Sequence, residues 1–182
     1  MRKVVLNLAV SLDGFIEGPN GEYDWCLADQ DYGMEAFFAS TDTIFIGRKS
    51  FELIRGDTGM FPIKNIYVFT DTLVPEPGEN FSVIPSANFE SAVAAIMEGE
   101  GGDIWLFGGA ELVTTFINKR LVSELLLAIH PLLLGEGKPL FKDIKDRVAL
   151  TLIEQKTYDT GLLQVRYELN PWFDPERIPF LG

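Results

Sequence analysis

A chain of 182 residues with 47% hydrophobic and 23% charged side chains is long enough to bury one continuous core without disulfides or a structural metal, and its composition lies far from that of disordered chains. The formal charge of -12, from 27 acidic against 15 basic residues, repels phosphate backbones and anionic membranes, so neither nucleic acid nor a membrane is an expected partner. One cysteine, Cys26, and one histidine, His130, exclude an intrachain disulfide and a His/Cys zinc site, and no metal is expected.

The apolar run after Arg2 and Lys3 is broken by Asn7, Ser11 and Asp13, which does not fit a signal peptide. No segment reaches the ~18–20 apolar residues of a membrane helix, so the chain reads as soluble and cytoplasmic. Residues 4–10, rich in Val and Leu and ended by Ser11, Asp13 and Gly14, predict a buried central strand. Residues 15–25 contain Gly18, Pro19, Asn20 and Gly21 and predict a turn-rich loop. A short helix follows over 31–40, with Met34, Phe37 and Phe38 at helical spacing, then a strand over 43–46 and, past Gly47, a helix over 48–55.

Residues 65–70 and 81–84 are β-branched and aromatic and predict strands, while 89–97 places Phe89, Val93, Ile96 and Met97 on one helical face. The apolar run 104–107 closes on Gly108-Gly109, and 110–118 restores helical spacing through Leu112, Val113, Phe116 and Ile117. Strands over 124–129, 149–156 and 162–169 complete the pattern. Alternation of strands and helices predicts an α/β fold with a mainly parallel sheet covered on both faces, to which the strand-rich end adds antiparallel members. In 171–182, Pro171, Pro175 and Pro179 exclude a continuous helix, yet Trp172, Phe173, Ile178, Phe180 and Leu181 predict an apolar arm docked on the domain or on a partner subunit.

Three segments carry candidate chemistry. In Ile104-Trp105-Leu106-Phe107-Gly108-Gly109-Ala110 a buried strand runs through two small residues into a helix, leaving N–H groups aimed outward in a way that suits a pyrophosphate. A plain turn using glycine for its positive φ explains the same residues, because Gly-Gly lacks the full dinucleotide fingerprint. In Ile46-Gly47-Arg48-Lys49-Ser50-Phe51 two cations and a hydroxyl open a helix, against the sign that the macrodipole favours. They read either as a phosphate corner or as a solvated basic turn. Between Ala9 and Trp25, a flat ring would fit against Ala9 where bulk is missing; Asp13 and Trp25 are candidate substrate contacts, or a turn-bonding acid and a core residue respectively.

Taken with Ser11-Leu12-Asp13-Gly14-Phe15-Ile16, Leu121-Val122-Ser123-Glu124-Leu125 and the run from His130-Pro131-Leu132 to Pro139-Leu140-Phe141, these segments resemble the dihydrofolate-reductase-like superfamily. The resemblance is strongest to the branch that includes the C-terminal reductase domain of bacterial riboflavin biosynthesis. It implies a single reductase domain over 1–170, with a central mixed, mostly parallel sheet flanked by helices and NADPH lying across the carboxyl ends of the strands. By the resemblance, backbone and apolar contacts to the nicotinamide would come from Ala9 and Ile16, and Gly47, Arg48, Lys49 and Ser50 would hold phosphates. Thr70 would sit by the adenosine end, and Gly108, Gly109, Ala110 and Glu111 would hold the pyrophosphate through backbone amides. Asp71, beside Thr70, repels a 2′-phosphate and keeps NADH open as the cofactor.

In folate reductases an acid shortly after a tryptophan grips the pterin and assists protonation; here Asp29 and Asp31 follow Trp25, neither at the matching interval, and are the candidate catalytic acids. The implied reaction is hydride transfer from NAD(P)H to a pyrimidine- or pterin-like heterocycle, as in 5-amino-6-(5-phosphoribosylamino)uracil reductase. Dihydrofolate reductase activity and a dinucleotide-binding module without turnover are the alternatives. A deaminase zinc motif cannot be assembled from one His and one Cys, and an ATP-binding P-loop spacing is lacking. His130, next to Pro131, suits a structural or subunit-contact role, and the resemblance implies a homodimer built with the region around Leu132, Leu133 and Leu134.

Overall fold

Residues 1–170 are described by the computed structural model; the arm expected over 171–182 lies outside the described residues. In chain order the elements are β1 (Val4–Ser11), β2 (Phe15–Glu17), α1 (Met34–Ser40), β3 (Thr41–Gly47), α2 (Arg48–Ile54), β4 (Asn65–Phe69), β5 (Ser82–Ile84), α3 (Phe89–Glu98), β6 (Asp103–Gly108), α4 (Ala110–Asn118), β7 (Glu124–His130), β8 (Lys138–Pro139), β9 (Ala149–Thr157) and β10 (Leu163–Asn170). Short 3₁₀ turns follow α2 and precede α3.

The main sheet has eight strands in the order β5-β4-β3-β6-β1-β7-β10-β9. Every pairing from β5 to β7 is parallel, and the hairpin β9–β10 joins β7 antiparallel. Strand β1 is interior, as its unbroken run of Val and Leu predicts, because a strand covered on both faces needs no polar alternation. The two faces carry two cores. Phe45, Leu106, Val113 and Phe116 pack with α3 and α4 on one side, and Phe37, Ile44, Phe51 and Trp105 pack with α1 and α2 on the other. Burying each such side chain contributes roughly 1.5–3 kcal/mol, and Trp105 also donates its indole N–H to Asn7 O at 3.0 Å.

Two differences from the predicted elements have clear causes. Residues 15–25 are not wholly a loop, since Phe15–Glu17 pairs with Lys138–Pro139. Gly137 makes that pairing possible, for its φ is +145° and a Cβ there would lie 2.2 Å from Glu17 O. Helix α1 starts at Met34 rather than at residue 31, because Gly33 adopts φ 83° and breaks the helical run. Asp31 then serves from outside, accepting a hydrogen bond from the Glu35 N–H at 2.9 Å.

After β1 the chain places β3, β4 and β5 progressively outward, then returns to insert β6 between β3 and β1 before adding β7 on the far side. That reversal opens a crevice beyond the carboxyl ends of β3 and β6, the position where open α/β sheets bind ligands.

Candidate functional site

A groove of about 1020 Å³ lies at this crevice. Its floor is the paired turns that leave β3 and β6. Gly47 ends β3 so close to the neighbouring turn that a Cβ on it would lie 3.6 Å from both Gly108 O and Gly109 N. Gly108 holds φ +117°, a conformation that glycine adopts without the strain a side chain would bring, and is joined to Gly109 by a cis peptide bond. Gly109 is the extended residue before α4, with no side chain to cap the helix. Val113 N–H is bonded to Gly109 O at 3.0 Å, so the N–H groups of Ala110, Glu111 and Leu112 stand ahead of the helical ladder and face the groove end.

Around that floor stand Arg48, Lys49 and Ser50 from α2 and Lys138 from β8. Arg48 pairs with Glu52 one turn on, at 2.8 Å on an exposed surface, where such a pair is weak. Among the described residues neither Lys49 nor the Ser50 hydroxyl has a hydrogen-bond or ion-pair partner. The Ser50 Oγ lies 3.2 Å and the Lys138 Nζ 3.8 Å from the point where a Gly109 Cβ would sit. One cation, Lys138, the Ser50 hydroxyl and backbone N–H groups therefore converge on one bare glycine, with Arg48 and Lys49 lining the same groove, which is a locally anion-attracting arrangement in a protein of charge -12.

Phe69, Ile84 and Phe89 give the groove apolar lining, and Thr70, Asp71 and Ser86 line it as well. Thr70 Oγ1 accepts from the N–H of Thr72 at 3.1 Å and of Leu73 at 3.3 Å, closing the turn after β4. Asp71 accepts from the Ser86 N–H at 2.7 Å and from its hydroxyl at 3.0 Å, and these bonds hold its carboxyl below the usual carboxylate range.

Of the residues singled out in the sequence, Gly47, Arg48, Lys49, Ser50, Thr70, Gly109, Ala110 and Glu111 all line this groove, and Gly108 lies buried directly beneath it. Ala9 and Ile16 do not line it. Ala9 sits in β1 opposite Ala128, and Ile16 packs partly against the core from β2. Asp13 bonds its own and the neighbouring turn, accepting from the Ser11 hydroxyl at 2.6 Å, Leu134 N–H at 3.2 Å and Gly135 N–H at 2.8 Å. The Ser11 bond, then that of Gly135, hold its carboxyl low.

Trp25 packs edge-on against His130, with ring centroids 5.3 Å apart. His130 is buried, its Nε2 accepting from Leu27 N–H at 3.0 Å and its Nδ1 lying 2.9 Å from Ala128 O, so both ring nitrogens serve the fold. Asp29 accepts from the Tyr32 hydroxyl at 2.6 Å. Asp31 borders a separate hollow of about 530 Å³ on the outer side of α1, with Met34, Phe38 and Pro62. Neither acid reaches the groove. Burial pushes the Cys26 thiol up to about 11, which removes it as a nucleophile near neutral pH.

Lys138, Ser86, Phe89 and Lys119 also line the groove, and sequence reasoning gave them no role there. Lys138 stood in a segment already marked by its glycines, but nothing local places β8 beside Gly109. No helix among the described residues is long and apolar enough to cross a membrane.

The sheet order, the glycine turns and the groove define an α/β protein of the dihydrofolate-reductase-like class. A dihydrofolate reductase from Enterococcus faecalis, solved with NADP(H) and RAB-propyl, shares this fold at a TM-score of 0.68 and 20% identity, covering 92% of this chain and 96% of that one. The chain belongs to the RibD C-terminal domain family, whose model matches residues 2–164. A protein of Shewanella sp. PV-4 provisionally assigned to riboflavin biosynthesis has a TM-score of 0.77 and 22% identity, over 93% of this chain and 99% of that one. The uncharacterized protein YyaP of Bacillus subtilis (strain 168) is 42% identical over 186 residues, covering 93% of this chain and 96% of YyaP.

Proposed function

We propose that the protein is an NAD(P)H-dependent reductase that transfers a hydride to a pyrimidine- or pterin-like heterocycle. The observation that carries this reading is the convergence of Ser50, Lys138 and the uncapped start of α4 on the bare face of Gly109. These groups fit a pyrophosphate, and the apolar outer wall of Phe69, Ile84 and Phe89 fits an adenine ring. Membership of the RibD C-terminal domain family supports the same reading.

In this reading Gly109, Ala110 and Glu111 hold the pyrophosphate through backbone N–H groups, and Arg48, Lys49 and Ser50 hold it from α2. The bound cofactor supplies the hydride. Ala9 and Ile16, on β1 and β2, would contact the nicotinamide, and the chain would serve to hold the two reactants in place for the transfer. Asp71 lies at the adenosine rim, where its negative charge disfavours a 2′-phosphate and favours a free ribose. Asp29 and Asp31 stand outside this groove, each accepting one hydrogen bond, from the Tyr32 hydroxyl and the Glu35 N–H respectively, and in this reading either is the proton donor at the substrate end.

The protein is also read as a cytoplasmic homodimer, its exposed Leu12 and Leu133 forming an apolar surface on adjacent turns. Light scattering of the purified chain tests that part. The activity is tested by loss of reduced-nicotinamide absorbance with a panel of ribosylaminopyrimidines and dihydropterins. Consumption that needs both substrate and enzyme is expected. Tight dinucleotide binding without turnover across the panel would leave a binding module instead.

A further inference from the structure

We propose that Lys138 is a phosphate ligand of the dinucleotide, and that Glu17 is its internal counter-ion, which phosphate displaces. This rests on the dinucleotide reading above and assigns a residue to it from outside the two glycine turns. Lys138 belongs to β8, the short strand paired with β2, and its Nζ lies 3.0 Å from Glu17 Oε1. The same Nζ lies 3.8 Å from where a Gly109 Cβ would be, with Ser50 Oγ 3.2 Å from that point. The ammonium thus stands between a carboxylate of one strand and the anion-attracting turn of another.

Its root is fixed rather than loose. Gly137 lets the backbone of β8 approach Glu17 O to a distance that no side chain tolerates, and Glu17 and Lys138 are register partners. The ion pair is partly buried, with side-chain exposures of 39% for Lys138 and 28% for Glu17. An ammonium carries three donors, and Glu17 engages one of them in this structure. A cation set beside a glycine turn, with donors to spare and a flexible stem, suits a phosphate oxygen that arrives from the groove.

The carboxylate of Glu17 and a bound phosphate compete for this one charge. Removing Lys138 therefore weakens cofactor binding, whereas neutralising Glu17 strengthens it. A pair that served only to pin β2 on β8 would behave differently, since either substitution would loosen the same contact and both would weaken binding or leave it unchanged.

The experiment titrates NADPH, NADH, inorganic pyrophosphate and adenosine into the full chain and into Lys138→Met, Lys138→Arg and Glu17→Gln, with circular dichroism confirming the folded state of each. Lys138→Met is expected to weaken NADPH on the order of tenfold, the loss of one charge-assisted hydrogen bond, and to leave adenosine unchanged. Lys138→Arg should restore most of the affinity, and Glu17→Gln should tighten NADPH by about two- to fivefold. Unchanged NADPH affinity in Lys138→Met, or equal weakening by Lys138→Met and Glu17→Gln, overturns the proposal. If the parent binds pyrophosphate in a Lys138-dependent way but neither NADPH nor NADH, the phosphate role stands and the dinucleotide reading falls; if it binds none of the three, both fall.

Discussion

The groove beyond β3 and β6 and the junction beyond β1 and β7 are built from the same materials, glycine turns with a few polar side chains, but they use their hydrogen-bonding capacity in opposite ways. At the junction, Asp13 accepts from Ser11, Leu134 and Gly135, and both nitrogens of His130 are taken up by the fold. In the groove, Lys49 and the Ser50 hydroxyl have no partner among the described residues, and the first N–H groups of α4 precede its ladder. At the junction the polar groups spend their bonds on the fold, whereas the groove keeps donors unspent, among them two of the three on the Lys138 ammonium. The contrast separates a latch from a binding site where residue type alone does not.

The sharpest way to break this contrast is to fill the groove's bare glycine. Gly109 has φ -71°, which any residue adopts, so Gly109→Val should fold. Its side chain meets Ser50 Oγ and Lys138 Nζ, and calorimetric titration should show NADPH binding weakened by more than tenfold, about 1.4 kcal/mol. Next in size is the double change Arg48→Ala with Lys49→Ala, expected to weaken NADPH by about five- to tenfold and to flatten the dependence of affinity on salt. Equal affinity in either variant would make the groove a structural turn.

Asp71→Arg reverses the charge at the adenosine rim and should raise the ratio of NADPH to NADH affinity by about fivefold, read from paired titrations. An unchanged ratio would mean that Ser86 holds this side chain away from the ribose. The smallest effect belongs to the latch. Asp13→Asn should lower the melting temperature at neutral pH by a few degrees, roughly, without altering dinucleotide affinity. Because the hydrogen bonds from Ser11 and Gly135 hold the Asp13 carboxyl below the ordinary aspartate range, its stabilisation is present above that range and is lost as pH falls through the depressed value. The gap between parent and variant melting temperatures should close over that acidic range, and a gap that persists there would contradict the latch.

Much of this was legible in the sequence where the signal is local. The run into Gly108-Gly109 and out through Leu112, Val113 and Phe116 marks strand, turn and helix within fifteen or so neighbouring positions, and periodicity reads such stretches well. Strand β2 was not legible, because three residues paired with two carry no period. Lys138 was missed for a related reason: its proximity to Gly109 is made by tertiary folding of the β2–β8 pair, and no spacing in the chain records it. For Asp29 and Asp31 the sequence shows only that two acids follow Trp25; that each accepts a hydrogen bond, from Tyr32 and from Glu35, is visible only in the fold.

The central claim, that the groove at Gly109 binds a reduced nicotinamide dinucleotide, is tested most directly by amide chemical-shift mapping of the isotopically labelled chain during an NADPH titration. The largest shifts are predicted at Gly47, Ser50, Gly109, Ala110 and Glu111, with a second group at Thr70, Asp71 and Ser86. Absence of shifts with saturating NADPH and with saturating NADH, or shifts confined to the hollow around Met34 and Phe38, would contradict it.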